Sequence, residues 1–213
     1  MIRVLIADDQ PVVRTGLRLL LDAQPDIEVV GEAGDGREAV RLAAEVRPDV
    51  GLFDIRMPRL DGIEATRLLA GEASDPLAIV VITTFDLDEY VYAALKAGAR
   101  GFLLKDAGPA LLADAVRAAA AGDALIDPSV TVRLLAAFAA SAPAPVAAPV
   151  EPLTAREEEV LREVARGRTN AEIAADLIVS LGTVKAHLAS IMLKLGARNR
   201  VEVAMWAHES GRV

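Results

Sequence analysis

Residues 1–9, Met1-Ile2-Arg3-Val4-Leu5-Ile6-Ala7-Asp8-Asp9, hold an apolar run that stops abruptly at two carboxylates. A strand with one face in water alternates apolar and polar residues. This run does not, so it predicts a strand covered on both faces. The same reading applies to Glu28-Val29-Val30-Gly31, Val50-Gly51-Leu52-Phe53, Ile79-Val80-Val81-Ile82 and Gly101-Phe102-Leu103-Leu104. Between these runs apolar residues recur at helical spacing, as in Val12, Val13, Leu17, Leu20 and Leu21, then Ala39, Val40, Ala43 and Ala44. Five strands interleaved with five helices in roughly 120 residues predict an α/β domain, doubly wound around a five-stranded parallel sheet.

The whole chain has 213 residues, which suits two units of unequal size. At 53% hydrophobic and 25% charged, it is neither a disordered nor a fibrous chain. Aromatics make up only 3%, so Ala, Leu and Val must fill the cores. No cysteine is present, which excludes disulfides, thiolate zinc sites and cysteine nucleophiles and fits a reducing compartment. The apolar start is too short for a signal peptide. The charge-free stretch from Leu134 to Val150 contains Pro143, Pro145 and Pro149, which argues against a membrane-spanning helix. A soluble, cytoplasmic protein with no membrane partner is therefore expected.

Beyond residue 122 the strand pattern gives way. Asp127-Pro128-Ser129 can cap a helix to about Ala140, and the proline-dense segment Ser141 to Pro149 predicts an extended linker. Thr154 and Glu157 form a capping box for a helix through Val160, Leu161, Val164 and Ala165, which Gly167 ends. Asn170 can cap a short helix carrying Ile173, Ala174 and Leu177. Ser180 can cap a longer one with Val184, Leu188, Ile191 and Leu195, closed by Gly196. A last amphipathic segment holds Val201, Val203, Ala204 and Trp206. The expected organisation is an α/β domain at 1–122, a helix and Ala/Pro-rich linker at 123–150, and a small all-α helix-turn-helix domain at 151–213.

Charge is divided unevenly. Residues 1–150 hold 14 Lys and Arg against 22 Asp and Glu, and the remainder holds 9 of each sign. Between Val164 and Arg200 six basic residues face only Glu172 and Asp176. That local excess permits nucleic-acid binding despite an acidic whole.

In a doubly wound sheet, chemistry gathers at the carboxyl ends of the strands. Asp8 and Asp9 end the first strand, Asp54 ends the third and Lys105 follows the fifth. Any one such aspartate, taken alone, reads better as a helix cap. Three carboxylates and a lysine at matching strand ends point instead to a shared site. Like charges crowded there call for a hard cation, and Mg²⁺ suits carboxylate, carbonyl and water ligands. A cation, a carboxylate nucleophile and a lysine are the parts that phosphoryl transfer needs.

With Asp54-Ile55-Arg56-Met57-Pro58-Arg59-Leu60-Asp61-Gly62, Thr83-Thr84 and Gly101-Phe102-Leu103-Leu104-Lys105-Asp106 added to Asp8-Asp9, the first domain resembles the receiver domain of two-component response regulators. The resemblance implies a flavodoxin-like fold in which Asp54 accepts a phosphoryl group from a phosphohistidine on a sensor histidine kinase. It also implies that Asp9, Asp54 and the carbonyl of Arg56 ligate Mg²⁺, with Asp8 acting through water and Lys105 pairing with the phosphoryl oxygens. Thr83 resembles the switch hydroxyl, with Thr84 as its competitor, and Phe102 stands at the coupled aromatic position. Asp106 occupies a place where many receivers carry proline, so a cis bond there is not implied.

The stretches Thr169-Asn170-Ala171-Glu172-Ile173-Ala174, Ser180-Leu181-Gly182-Thr183-Val184-Lys185-Ala186-His187 and Lys194-Leu195-Gly196-Ala197-Arg198-Asn199-Arg200 resemble the LuxR-type DNA-binding domain. In a helix-turn-helix the second helix enters the major groove. Candidate DNA contacts are Asn170, Thr183, Lys185, Ala186 and His187, with Lys185 foremost, while Ala189 stands where some relatives carry a second lysine. The last helix is expected to expose Val203, Met205 and Trp206, either as core or as a dimer contact. Together the two resemblances imply the NarL/FixJ subfamily: a regulator that dimerises when phosphorylated, binds an inverted-repeat operator in double-stranded DNA and has RNA polymerase as a further partner. Two rivals remain. A pseudo-receiver would regulate by binding alone. A metal-dependent aspartyl-phosphate phosphohydrolase would place a second aspartate two residues after its nucleophile, where this chain has Arg56 after Asp54 and Gln10 after Asp8.

Overall fold

A computed structural model describes residues 1–212 except 72–75, 85–87, 129 and 132–147. The chain divides into two units, residues 1–135 and 136–213. The first contains β1 (Ile2–Ala7), α1 (Pro11–Asp22), β2 (Ile27–Ala33), α2 (Gly36–Val46), β3 (Val50–Phe53), α3 (Gly62–Thr66), β4 (Ala78–Thr83), α4 (Asp88–Lys96), β5 (Gly101–Leu104), α5 (Pro109–Ala121) and β6 (Leu125–Ile126). A π-helical turn, Arg67–Gly71, extends α3.

The strands form one parallel sheet in the order β2-β1-β3-β4-β5-β6. The doubly wound reading stands, but among the described residues the expected five strands become six. Leu125 and Ile126 pair with Gly101 and Phe102 and add a short edge. Two residues are too few to show a strand periodicity, and only the neighbouring β5 recruits them.

Every residue of β3 and β4 is buried, as are Val4 to Ala7 of β1, which is what strands covered on both faces require. On one face Val4, Ile6, Val50, Leu52, Val80, Ile82 and Leu103 pack with Leu17 and Leu21 of α1 and Leu112, Val116 and Ala119 of α5. Alternate residues, among them Leu5, Phe53 and Phe102, are fully buried outside that cluster. Gly51 makes room for an aromatic in so small a core, since a Cβ there would stand 2.9 Å from the Phe53 ring.

The second unit contains α6 (Ala155–Ala165), α7 (Asn170–Asp176), α8 (Leu181–Leu195) and α9 (Arg200–Glu209). Val160, Leu161, Val164, Ile173, Val184, Leu188, Ile191, Val203 and Ala207 form its core. Helices α7 and α8 meet at 111°, as in a helix-turn-helix. Thr154 and Glu157 make the expected capping box, Ser180 caps α8, and Gly196 closes it at φ +66°. The short helix differs from expectation: Thr169, not Asn170, is its cap, in a second capping box with Glu172. Both residues favour caps; Thr169 wins because Glu172 lies three residues on and returns the hydrogen bond. The helix expected from Asp127 begins with Thr131 N donating to Asp127 O at 2.9 Å. Its continuation to Ala140 and most of the proline-rich linker lie outside the described residues. Among the described residues no single helix is long and apolar enough to cross a membrane.

One buried acid ties α6 to α8. Glu157 is 4% exposed; its carboxylate accepts from Ser190 Oγ at 2.6 Å, and from Lys194 Nζ and Thr154 N at 2.7 Å each. Burial alone would raise its pKa, but the hydrogen bonds from Lys194, Ser190 and Thr154 outweigh burial and hold it at about 2 rather than 4.5. The folded-state value is depressed, so this contribution is complete above about pH 4.5 and fades as the pH falls towards 2. Glu157→Gln is expected to destabilise the second unit by about 2 kcal/mol at pH 7, with the difference vanishing near pH 2. Trp206 is the only tryptophan and lies in α9, so urea melts followed by its fluorescence across that pH range check this. A difference unchanged by pH would show that the ionised carboxylate is not the cause.

Candidate functional site

The order β2-β1-β3 reverses the direction of winding at β1 and β3, and in such a sheet the ligand site lies outside the carboxyl ends of those strands. Asp8 and Asp54 stand there, one step beyond each strand, held by the ladder bonds Asp8 N to Ala33 O at 3.1 Å and Asp54 N to Ala7 O at 2.8 Å. Asp8 is fully buried, Asp54 is 4% exposed and Asp9 is exposed. One carboxylate oxygen from each of the three lies within 4.8 Å of the other two.

Lys105 reaches the same point from the end of β5, where its N–H donates to Thr83 O at 2.9 Å. Its ammonium stands 2.9 Å from Asp54 Oδ2 and 2.5 Å from Asp8 Oδ2. Desolvation works against its charge, but the hydrogen bonds to Asp8 and Asp54 prevail and push its pKa up. The Asp54 carboxyl moves the other way from a paired acid. Burial lifts it above its ordinary value although the Lys105 hydrogen bond and charge pull it down, and the Asp8 charge adds to the rise. The remaining oxygens are held locally, with Ile55 N donating to Asp54 Oδ1 at 2.7 Å and Gln10 N to Asp8 Oδ1 at 2.8 Å. Three carboxylates facing one ammonium leave a net negative set of hard oxygen donors. That set fits a hard divalent cation.

The loop after Asp54 is drawn tight by Gly62, whose N–H donates to Ile55 O at 2.8 Å. A Cβ on Gly62 would stand 1.8 Å from the Asp54 carbonyl oxygen, so no other residue fits without moving the loop. Arg56 is exposed beside the acids, and its guanidinium lies 5.8 Å from the centre of the Tyr90 ring, with Nη2 3.3 Å from the Tyr90 hydroxyl. Nothing in the sequence alone gives Gly62 or Tyr90 a role; the glycine lies within the quoted motif, whereas no local pattern announces Tyr90. Thr83 is fully buried at the end of β4, and Thr84, its competitor, is exposed. Phe102 is fully buried on β5.

In the second unit, Lys185 and Ala186 are exposed on α8, as is Ala189, while Thr183 and His187 are half-buried. Thr183 belongs to the cap, its backbone N donating to Ser180 Oγ at 3.0 Å and its hydroxyl 2.8 Å from that oxygen. Asn170 is corrected: its side chain is fully buried and accepts from Arg200 Nη1 at 3.2 Å, which removes it from the surface a DNA duplex can touch. Of the two readings of Val203, core or dimer contact, the structure takes the core. The side chain is fully buried rather than displayed by α9. The helix turns Val203 and Ala207, four residues apart, towards that core. Met205 and Trp206 are half-buried, and the Arg212 guanidinium lies 4.7 Å from the Trp206 ring.

Residues 4–117 match the response regulator receiver domain, and residues 151–207 match the bacterial regulatory proteins of the luxR family. The transcriptional regulatory protein LiaR of Bacillus subtilis is 46% identical over 210 residues, covering 99% of this chain and 98% of LiaR. The nitrate/nitrite response regulator protein NarL of Escherichia coli is 39% identical over 206 residues, covering 97% and 94%. A solved structure of RcsB from Salmonella enterica serovar Typhimurium, bound to promoter DNA in the presence of a phosphomimetic, aligns with a TM-score of 0.59 at 29% identity over 98% of each chain. A receiver domain followed by a luxR-type DNA-binding domain defines a transcriptional response regulator. The chain belongs to the two-component response regulators, in their NarL/FixJ branch.

Proposed function

We propose that this chain is a transcription regulator switched by phosphorylation of Asp54. The observation that carries the reading is the meeting of Asp8, Asp9, Asp54 and Lys105 at the switch point of the sheet. The donor is a phosphohistidine on a sensor histidine kinase. An Asp54 carboxylate oxygen bonds to phosphorus, the P–N bond breaks, and the imidazole nitrogen keeps the electron pair and takes a proton. Lys105 faces the transferred oxygens and offsets their charge. Asp9, Asp54 and the Arg56 carbonyl would hold Mg²⁺, with Asp8 acting through water, and charge neutralisation at the phosphoryl oxygens is what the ion supplies.

The acyl phosphate on Asp54 favours a second arrangement of Thr83 and Phe102. A switch needs two conformations that differ in affinity for the phosphoryl group; the burial of the Thr83 hydroxyl at the end of β4, the strand next to β3, supports its part in that change. In this reading residues 1–122 are the receiver, 123–150 the connection and 151–213 the effector. The phosphorylated chain forms a homodimer and presents two copies of α8 to an inverted repeat in double-stranded DNA. Lys185, Thr183, Ala186 and His187 are the contacts, with Met205 and Trp206 towards the partner copy. Exposed Ala186 and Ala189 beside Lys185 suit apolar contact with thymine methyl groups better than hydrogen-bonded readout. The chain turns over no substrate beyond its own phosphorylation and dephosphorylation, works in the cytoplasm and acts on RNA polymerase at the promoter.

The test adds a small acyl phosphate and Mg²⁺ to the full chain. Intact mass is expected to show one phosphoryl group per chain, light scattering a doubling of mass, and operator binding a gain of at least roughly tenfold from the second half-site. A chain that takes up no phosphoryl group, yet binds DNA equally with and without donor, would be a pseudo-receiver. Release of phosphate far in excess of the protein present would make it a phosphohydrolase.

A further inference from the structure

The loop between Asp54 and α3 carries the Arg56 carbonyl, and its far half rests on the corner between β2 and α2. There Asp35 is fully buried and caps α2, its Oδ1 accepting from Arg37 N at 2.8 Å and Glu38 N at 3.0 Å. Its other oxygen, Oδ2, pairs with the guanidinium of Arg59, a side chain that is 65% exposed and reaches inward from the loop. One residue further, Leu60 O accepts from Gly36 N at 3.1 Å. A Cβ on Gly36 would stand 2.5 Å from that oxygen, so the two loops touch backbone to backbone.

Arg59 makes this contact at φ +65°, in the left-handed region where glycine is free and a residue with a Cβ pays about 1–2 kcal/mol. A strained arginine persists only where its surroundings over-determine it. Here the surroundings are a buried carboxylate that would be left unpaired without it. Among the described residues no hydrogen bond or ion pair joins either one to Asp8, Asp9 or Asp54, and the cap of α2 needs only one of the two Asp35 oxygens.

We propose that Asp35 and Arg59 are positioning residues for the cation site: their ion pair pins the loop that presents the Arg56 carbonyl. The proposal rests on the reading that Asp9, Asp54 and that carbonyl hold Mg²⁺. A loop so pinned binds the ion without first having to be ordered, and loosening it weakens affinity while leaving every proposed ligand in place.

Calorimetric titration of MgCl₂ into the unphosphorylated full chain tests this with Arg59→Gly, Asp35→Asn and the double variant. Glycine accepts φ +65° without strain and asparagine keeps the cap, so the fold is retained; thermal melts in EDTA check that. Both single variants are expected to weaken Mg²⁺ binding roughly tenfold, and the double variant no more than either. A simple charge effect gives a different pattern, because removing a cation near the site tightens Mg²⁺ binding and removing an anion weakens it. Tighter or unchanged binding by Arg59→Gly, or losses that add in the double variant, would overturn the proposal. A wild type that binds no Mg²⁺ overturns the cation reading and this proposal together. A wild type that binds, with Asp9→Ala abolishing binding and Arg59→Gly sparing it, overturns the positioning role alone.

Discussion

Asp54→Asn is expected to abolish uptake of a phosphoryl group from a small acyl phosphate in the presence of Mg²⁺, reducing it to the background of a chain without donor. An amide oxygen carries no charge to attack phosphorus, and in the proposed site Asp8 and Asp9 serve the cation rather than the phosphoryl group. Asp8 Oδ2 is buried against Lys105, and Asp9 stands exposed on the loop after β1. Loss of uptake would not be loss of fold. Burial raises the Asp54 carboxyl above its ordinary value, so the folded state prefers that group neutral, and its ionisation costs stability as the pH rises through the folded-state pKa. The neutral amide removes that cost at pH 7, and Lys105 keeps Asp8 as a partner. Thermal melts of the metal-free protein are therefore expected to show Asp54→Asn at least as stable as wild type. Uptake that survives the substitution would place the acceptor elsewhere and sink the proposed chemistry.

Lys185→Ala is expected to weaken operator binding by roughly tenfold per half-site, hence on the order of a hundredfold for a dimer on an inverted repeat. Val184, Leu188 and Ile191 form the buried stripe of α8 and leave Lys185 exposed, so alanine there removes a charge and no packing. The salt dependence separates this from an indirect effect. Each lysine that neutralises a phosphate adds about one unit to the slope of log affinity against log salt, so a dimer is expected to lose about two. Anisotropy titrations at two salt concentrations measure both quantities. Affinity unchanged at both would show that Lys185 makes no contact.

Much of this site was legible because its parts sit at predictable chain positions. An apolar run followed by an acid places that acid at a strand's carboxyl end, and the parallel order brings Asp8, Asp54 and Lys105 to one edge. Single residues left Thr83 and Thr84 as competitors; the strand pattern favours Thr83, and in the structure Thr83 is buried at the end of β4 while Thr84 is exposed. The second unit was legible through its caps, since Thr154, Ser180 and Gly196 are read from local chemistry. The misreading of Asn170 and the choice left open at Val203 share one cause. Asn170 and Val203 carry suitable chemistry for a DNA contact and a dimer contact, but their exposure depends on packing between helices, which spacing along one helix cannot report.

What the order of residues determined alone was periodicity and local chemistry: covered strands, helix starts and stops, a lysine and three carboxylates at strand ends, and a helix-turn-helix. These depend on neighbours within a few positions, where backbone geometry is nearly constant. Only the tertiary structure decided the rest. It recruited Leu125 and Ile126 as a sixth strand, gave Glu157 the partners that hold it ionised, and set Asp35 against Arg59 across two loops. Each of those joins segments remote in the chain, and a contact between them exists only once the sheet and the helix packing have brought them together.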